Sequence, residues 1–172
     1  MKSFTLIELL FVSIIFTLLI IGVFQVMDVG RGAWFTGDTS IELRQEIIKT
    51  FMRMERELKE TRPAQVSLGS STSDTSLTFK IPQDIDGDGT ILDSSGNIEW
   101  SPNIVYALNG SKQITRTASG ATTIIANDVT SLLFTRPATP VNILQIDVTA
   151  NKTTATNKIL QDSGEISVKM RN

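Results

Sequence analysis

Between Ile81 and Ile98 the chain crowds its carboxylates. Asp84-Ile85-Asp86-Gly87-Asp88-Gly89-Thr90-Ile91 places an acid at every second position over its first half. Calcium takes six to eight oxygen ligands, and D-x-D-x-D-G followed by an apolar residue is the first half of an EF-hand-like loop. On that pattern Asp84, Asp86 and Asp88 supply side-chain oxygens, Thr90 a carbonyl, and Gly89 the turn. The place of the closing bidentate glutamate is taken by Ser95, so Asp93 or Glu99 has to complete the shell. A reading without an ion is nearly as good, because Asp-Gly pairs are ordinary turn formers. Repulsion among the clustered carboxylates tilts the choice to a structural calcium ion.

The second chemically loaded residue is Glu8. It sits near the start of Phe4–Met27, FTLIELLFVSIIFTLLIIGVFQVM, and no charge follows it until Asp28. A run of about 20 apolar residues is what a helix needs to cross a hydrocarbon core of ~30 Å. An ionised carboxylate there costs about 2.5–3.5 kcal/mol on insertion scales, so it needs a partner or a position at the headgroups. Lys2 is the only charge before the run, and positive residues stay cytoplasmic, which puts the tail outside. The end of the run offers no small-residue cleavage site of the A-x-A kind, so the helix should stay attached.

The residues around Glu8 add to this. Ser3-Phe4-Thr5-Leu6-Ile7-Glu8-Leu9-Leu10 resembles the N-terminal signature of type IV pilins and type II secretion pseudopilins: a short basic leader, a cut before Phe, and Glu at the fifth mature position. The family usually has Gly before the cut, where this chain has Ser3. The resemblance implies a leader over residues 1–3, cleavage between Ser3 and Phe4 by a prepilin peptidase, and methylation of the new Phe4 amine. It implies a bacterial inner-membrane protein with its domain extracytoplasmic, and other pilin or pseudopilin subunits as partners. Opposite charges in a low-dielectric setting attract strongly, so a neighbour's Phe4 amine could neutralise Glu8. Such a pair acts mainly to set register, since an ion left unpaired there is heavily penalised. Arg53–Lys59 (RMERELK), the IVYALNG hairpin and NDVTSLLF look most like J-type minor pseudopilins and W-type minor pilins, which act at or near a filament tip.

Other classes have less to stand on. The 172 residues include no His and no Cys, which removes the commonest general base, the commonest transition-metal ligand and all thiol chemistry. No nucleophile and base pair stands out, so no enzyme is expected. A net charge of -2 leaves no basic patch for nucleic acid. Two rivals stay open: a binding module tethered by an inert anchor, and a tethered enzyme holding a divalent metal in a cleft of Asp84, Asp86, Asp88 and Glu99.

The remaining residues must position these groups. Residues 4–27 form the membrane helix, and 28–38 read as a flexible joint, because Gly30, Gly32 and Gly37 each cost ~1 kcal/mol in a helix. Trp34 and Phe35 fit either the membrane surface or the domain. Thr39-Ser40-Ile41-Glu42 fits a capping box opening an arm helix over 40–60, which ends before Pro63. Leu43, Ile47, Phe51, Met54 and Leu58 make one stripe for a sheet. A second line, Ile41, Ile48 and Met52, faces either neighbouring subunits or a deeper seat in its own domain; exposure in the monomer would favour the first.

Beyond the arm the pattern turns to period two. Leu77–Ile81, Ile104–Leu108, Lys112–Thr117, Val129–Arg136, Leu144–Thr149 and Ile166–Arg171 read as strands, with Asn109-Gly110 as a hairpin turn and 151–157 as an exposed polar loop. One long helix followed by strands predicts an α+β class: a helix, transmembrane in its first half, packed on an antiparallel β-sheet domain over 39–172. Periodicity alone would also allow a small sandwich.

Overall fold

The computed structural model describes residues 5–171. A single helix, α1 (Leu6–Glu60), runs 55 residues without interruption, about 80 Å at 1.5 Å per residue. Its first 18-residue apolar window has a mean hydropathy of 2.8 and buries nothing against the rest of the protein, so it is long and apolar enough to cross a membrane. Ser13 and Thr17 within it donate their hydroxyls to the carbonyls of Leu10 and Ser13, at 2.8 Å each. That satisfies both groups inside the helix, as a lipid setting requires.

No joint interrupts residues 28–38. Thr36 and Thr39 donate to the carbonyls of Gly32 and Phe35, one turn back, and the helix continues through all three glycines. Thr39 is therefore mid-helix and caps nothing, and the expected arm over 40–60 is the C-terminal part of one rod. Helix propagation adds a bond per residue, so a long nucleated helix absorbs glycines that would stop a short one. The capping box lies instead at Thr5 and Glu8.

Among the described residues eight strands follow: β1 (Thr72–Asp74), β2 (Ser76–Phe79), β3 (Ile104–Leu108), β4 (Ile114–Ala118), β5 (Ala121–Ala126), β6 (Val129–Arg136), β7 (Ile143–Thr153) and β8 (Ile159–Lys169). They form two four-stranded antiparallel sheets, in the orders β1-β6-β7-β8 and β2-β3-β4-β5. The class is α+β as the sequence predicts, with the sheet divided in two. Strand β5 has no alternating signal, and a tight turn at Ser119-Gly120, both at positive φ, folds it back on β4. The polar stretch 151–157 is only partly a loop: β7 continues to Thr153 and β8 starts at Ile159, so the two strands pair over eleven positions.

The buried side of α1 carries Leu43, Ile47, Thr50, Met54 and Leu58. It lies across β8 and β7, and one apolar core joins it to Phe79, Tyr106, Phe134, Leu144, Ile146 and Val168 of both sheets. The approach is close: a Cβ on Gly164 of β8 would lie 2.7 Å from the Phe51 ring and 3.0 Å from Ile47 Cγ2. The helix is also tied to the second sheet. Arg116 Nε of β4 donates to both Glu57 oxygens at 3.0 Å, and the Tyr106 hydroxyl of β3 donates to Glu57 Oε2 at 2.9 Å. The domain is thus clamped to the C-terminal third of α1.

Candidate functional site

Two places carry the residues singled out by sequence. The first is the N-terminal part of α1. Ser3 and Phe4 lie outside the described residues. Glu8 is described, and its Oε2 accepts from the Thr5 backbone N–H and from the Thr5 hydroxyl, at 3.3 Å each. A carboxylate here meets the unpaired N–H groups and positive end of the helix, which favours negative charge. In the single chain Glu8 is therefore held by long, weak bonds next to the start of the helix. Nothing covers it, and every neighbour from Leu6 to Leu10 is exposed.

Farther along α1, Trp34 is 77% exposed, Ile41 60%, Ile48 50% and Met52 67%. Of the two seats open to the Ile41, Ile48 and Met52 line, the deeper one in its own domain is ruled out, because the domain occupies another side of the helix. Gly30, Ala33, Trp34, Gly37 and Ile41 line a shallow and mainly apolar groove along this face.

The second place is the acidic loop. Ser101 N–H to Ile81 carbonyl (2.9 Å), Gln83 to Glu99 (3.1 Å) and Glu99 to Ile91 (2.9 Å) fold residues 81–101 into an irregular hairpin. This pairing carries Glu99 back onto the start of the loop. Carboxylate oxygens of Asp84, Asp86 and Glu99 lie within 4.8 Å of one another. Each is held by backbone amides. Asp84 accepts from Gly87 (2.7 Å) and Gly89 (2.9 Å), Asp86 from Asp88 (3.1 Å), and Glu99 from Ile85 (2.7 Å). Gly87 and Gly89 both stand at positive φ, where a side chain would be strained.

The geometry brings part of the expected ligand set together. Asp88 is not in the cluster; its Oδ1 accepts from the Thr90 amide (2.8 Å) and hydroxyl (2.9 Å). The Thr90 hydroxyl donates to Asp88 and to the Leu92 carbonyl, which leaves its own carbonyl, the expected ligand atom, uninvolved in these bonds. Asp93 is outside it too. Its carboxylate accepts from the amides of Asn97 (2.9 Å) and Ser95 (2.8 Å), closing its own turn. Those bonds, Asn97's backbone amide first, hold the Asp93 carboxyl below the ordinary value. Of the two residues offered for closing the shell it is Glu99 that arrives, and the signal was the Ile81 to Ser101 pairing rather than any spacing within the loop. The donors are all hard oxygens, which suits a calcium-like cation. Three carboxylates leave part of its shell to carbonyls and water.

The Glu57, Arg116 and Tyr106 network had no signal in the sequence. Its side chains are 12–19% exposed in the ion pair, and it joins helix to sheet. Burial, and then the charge of Glu57, push the Tyr106 phenol well above its ordinary value. Arg116 is also raised; burial opposes this, and the bond to Glu57 and its charge outweigh it. Comparison with family models, with curated proteins and with solved structures gives no match to this chain.

Proposed function

We propose that this chain is a minor pilin-like subunit. It is cut before Phe4 and N-methylated by a prepilin peptidase, and is anchored once in the bacterial inner membrane with its N-terminus cytoplasmic and its domain extracytoplasmic. It assembles at or near the tip of a type II secretion pseudopilus or a type IV pilus. The observation that carries the reading is the single rod α1. One end is an exposed apolar span bearing Glu8, the other is clamped to a domain, and an apolar line along it is left uncovered. A plain tether for a binding module needs neither Glu8 nor that line.

On this reading assembly moves Glu8 from its weak bonds to Thr5 onto a neighbour's Phe4 amine. Leaving either charge alone in lipid is costly, so the exchange sets register as helices stack. The clamp at Glu57 makes the domain follow the helix as a rigid body. The acidic loop at Asp84, Asp86 and Glu99 takes a structural calcium ion in this proposal, stiffening the 81–101 hairpin.

Mass analysis of the mature N-terminus from native membranes tests the reading, together with Glu8→Ala. A methylated Phe4 start, and a variant that inserts but does not assemble, are the expected results. Retention of Met1-Lys2-Ser3 with a fully functional Glu8→Ala chain would instead support the inert tether.

A further inference from the structure

Among the described residues the two sheets have four edges, and three of them are guarded. β1 is three residues long, and β8 lies against α1 and carries Asp162, Glu165 and Lys169. On β2 a neighbouring segment takes the edge: Ser67 donates its N–H to the Thr78 carbonyl (2.8 Å), and its hydroxyl oxygen accepts the Thr78 N–H (3.2 Å). Shortness, charge and a covering loop are the usual protections against pairing with another chain. β5 has none of them. Residues 121–124 are exposed and include no charge, proline or glycine. Only beyond them does a bulge opposite Ile114 and Thr115 turn Ile125 and Ala126 into the core.

The register says which groups of β5 are free. Ala118 and Ala121 flank the two-residue turn at Ser119-Gly120, and residues so placed exchange both hydrogen bonds. The ladder then alternates, so Thr123 also bonds β4, whereas Thr122 and Ile124 turn N–H and C=O away from it. Carried across the sheet, the same alternation turns Thr78 outward on β2, where Ser67 meets it. At Thr122 and Ile124 no group among the described residues meets the backbone.

We propose that the open edge of β5 takes an extended segment of a different chain as a fifth strand, antiparallel like every pair in this sheet. Outward N–H and C=O groups on an edge fit another backbone, and strand addition is how such edges recognise extended peptides. The segment's chemistry follows from its neighbours. Thr122 ends a row that crosses the outer face through Thr117, Val105 and Thr78, and the row ending in Ile124 is likewise free of charge. Cross-strand neighbours in such rows favour β-branched, uncharged side chains, so the incoming strand is neutral and carries Thr, Val or Ile at alternate positions. The β5 of a second copy does not fit. The dyad of an antiparallel pair stands perpendicular to the sheet, and the inner face of this sheet looks onto α1, where Tyr106 and Arg116 reach Glu57. Rotation about that dyad reverses α1 and points the two apolar spans in opposite directions. The inference rests on the proposed membrane anchoring in this step alone.

Hydrogen exchange of the full-length chain tests it, in native membranes and as the single chain purified in detergent. The Thr122 and Ile124 amides are expected to exchange about tenfold more slowly in the membranes. Thr122→Pro removes an outward N–H without removing a backbone bond to β4, so it should leave the melting temperature within about 2 °C and abolish the protection at Ile124. Thr122→Val keeps the N–H and should keep the protection. Equal exchange in the two preparations, or loss with valine as with proline, overturns strand addition. The chain has no cysteine of its own, so differently tagged copies bearing both Thr122→Cys and Ile124→Cys report on the occupant. Disulfides between the two tags would put a second copy on the edge and overturn the different chain; none are expected. Mass analysis of the same membranes separates this inference from the proposed processing: a Phe4 start without the protection sinks strand addition alone. Protection with Met1 retained sinks the processing instead.

Discussion

Gly164→Ala measures how closely the helix must sit on its sheet. Gly164 is not at positive φ, so space rather than backbone conformation calls for glycine there. A methyl would lie 2.7 Å from Phe51 Cε2, 3.0 Å from Ile47 Cγ2 and 3.3 Å from Phe51 Cζ. Ile47 is buried and cannot give way; the Phe51 ring is half-buried and must swing outward. Overpacking of this kind costs about 1–3 kcal/mol. Against it, alanine restricts the unfolded chain and returns about 0.4–1 kcal/mol. The net is a loss of about 1–2 kcal/mol, or a melting temperature about 2–8 °C lower for a chain of this size. Thermal unfolding of the full chain in detergent reads it, with Gly164→Val expected to be worse. In a Phe51→Leu background the alanine penalty should shrink, because the nearest atoms are gone. A neutral or stabilising Gly164→Ala, or an equal penalty in both backgrounds, would refute the close-packing argument.

Other outcomes follow from the same structure. Tyr106→Phe should cost about 1 kcal/mol at neutral pH by removing the bond to Glu57. The folded Tyr106 pKa lies above the unfolded one, so its contribution is complete below about pH 10 and is lost as pH rises further. The variant should therefore show a flatter alkaline fall in urea-unfolding stability than the parent; a parallel fall would contradict the assignment. Glu57→Ala should cost more, about 2 kcal/mol, since it strands Arg116 as well. Millimolar calcium should raise the melting temperature of the parent and of Asp93→Asn but not of Glu99→Gln; loss of the response in Asp93→Asn alone would restore the EF-hand-like set. Ile48→Ser with Met52→Ser should leave the melting temperature within about 2 °C, because both side chains are already in solvent, while reducing assembly.

How far the sequence reaches depends on whether a feature is local. Strand β6 was legible to the residue, because its apolar positions sit between clear breakers, Asp128 before it and Pro137 after it. The paired faces of β7 and β8 were legible for the same reason, whereas their extension through Lys152 and Thr153 depends on cross-strand pairing that no single strand shows. Glycines at 30, 32 and 37 argued for a joint, and they lost to the cooperativity of a long helix. Glu99 and Asp93 were indistinguishable as candidates until the hairpin brought one to the cluster and turned the other into its own turn. The stripe of Ile41, Ile48 and Met52 was visible as a pattern, but which side of α1 meets the sheets depends on where β7 and β8 end up. Only that placement turns an ambiguous helical face into one that the domain leaves uncovered. Under the proposed assembly, the apolar face that the clamp holds outward is the place where a neighbouring subunit would complete the packing.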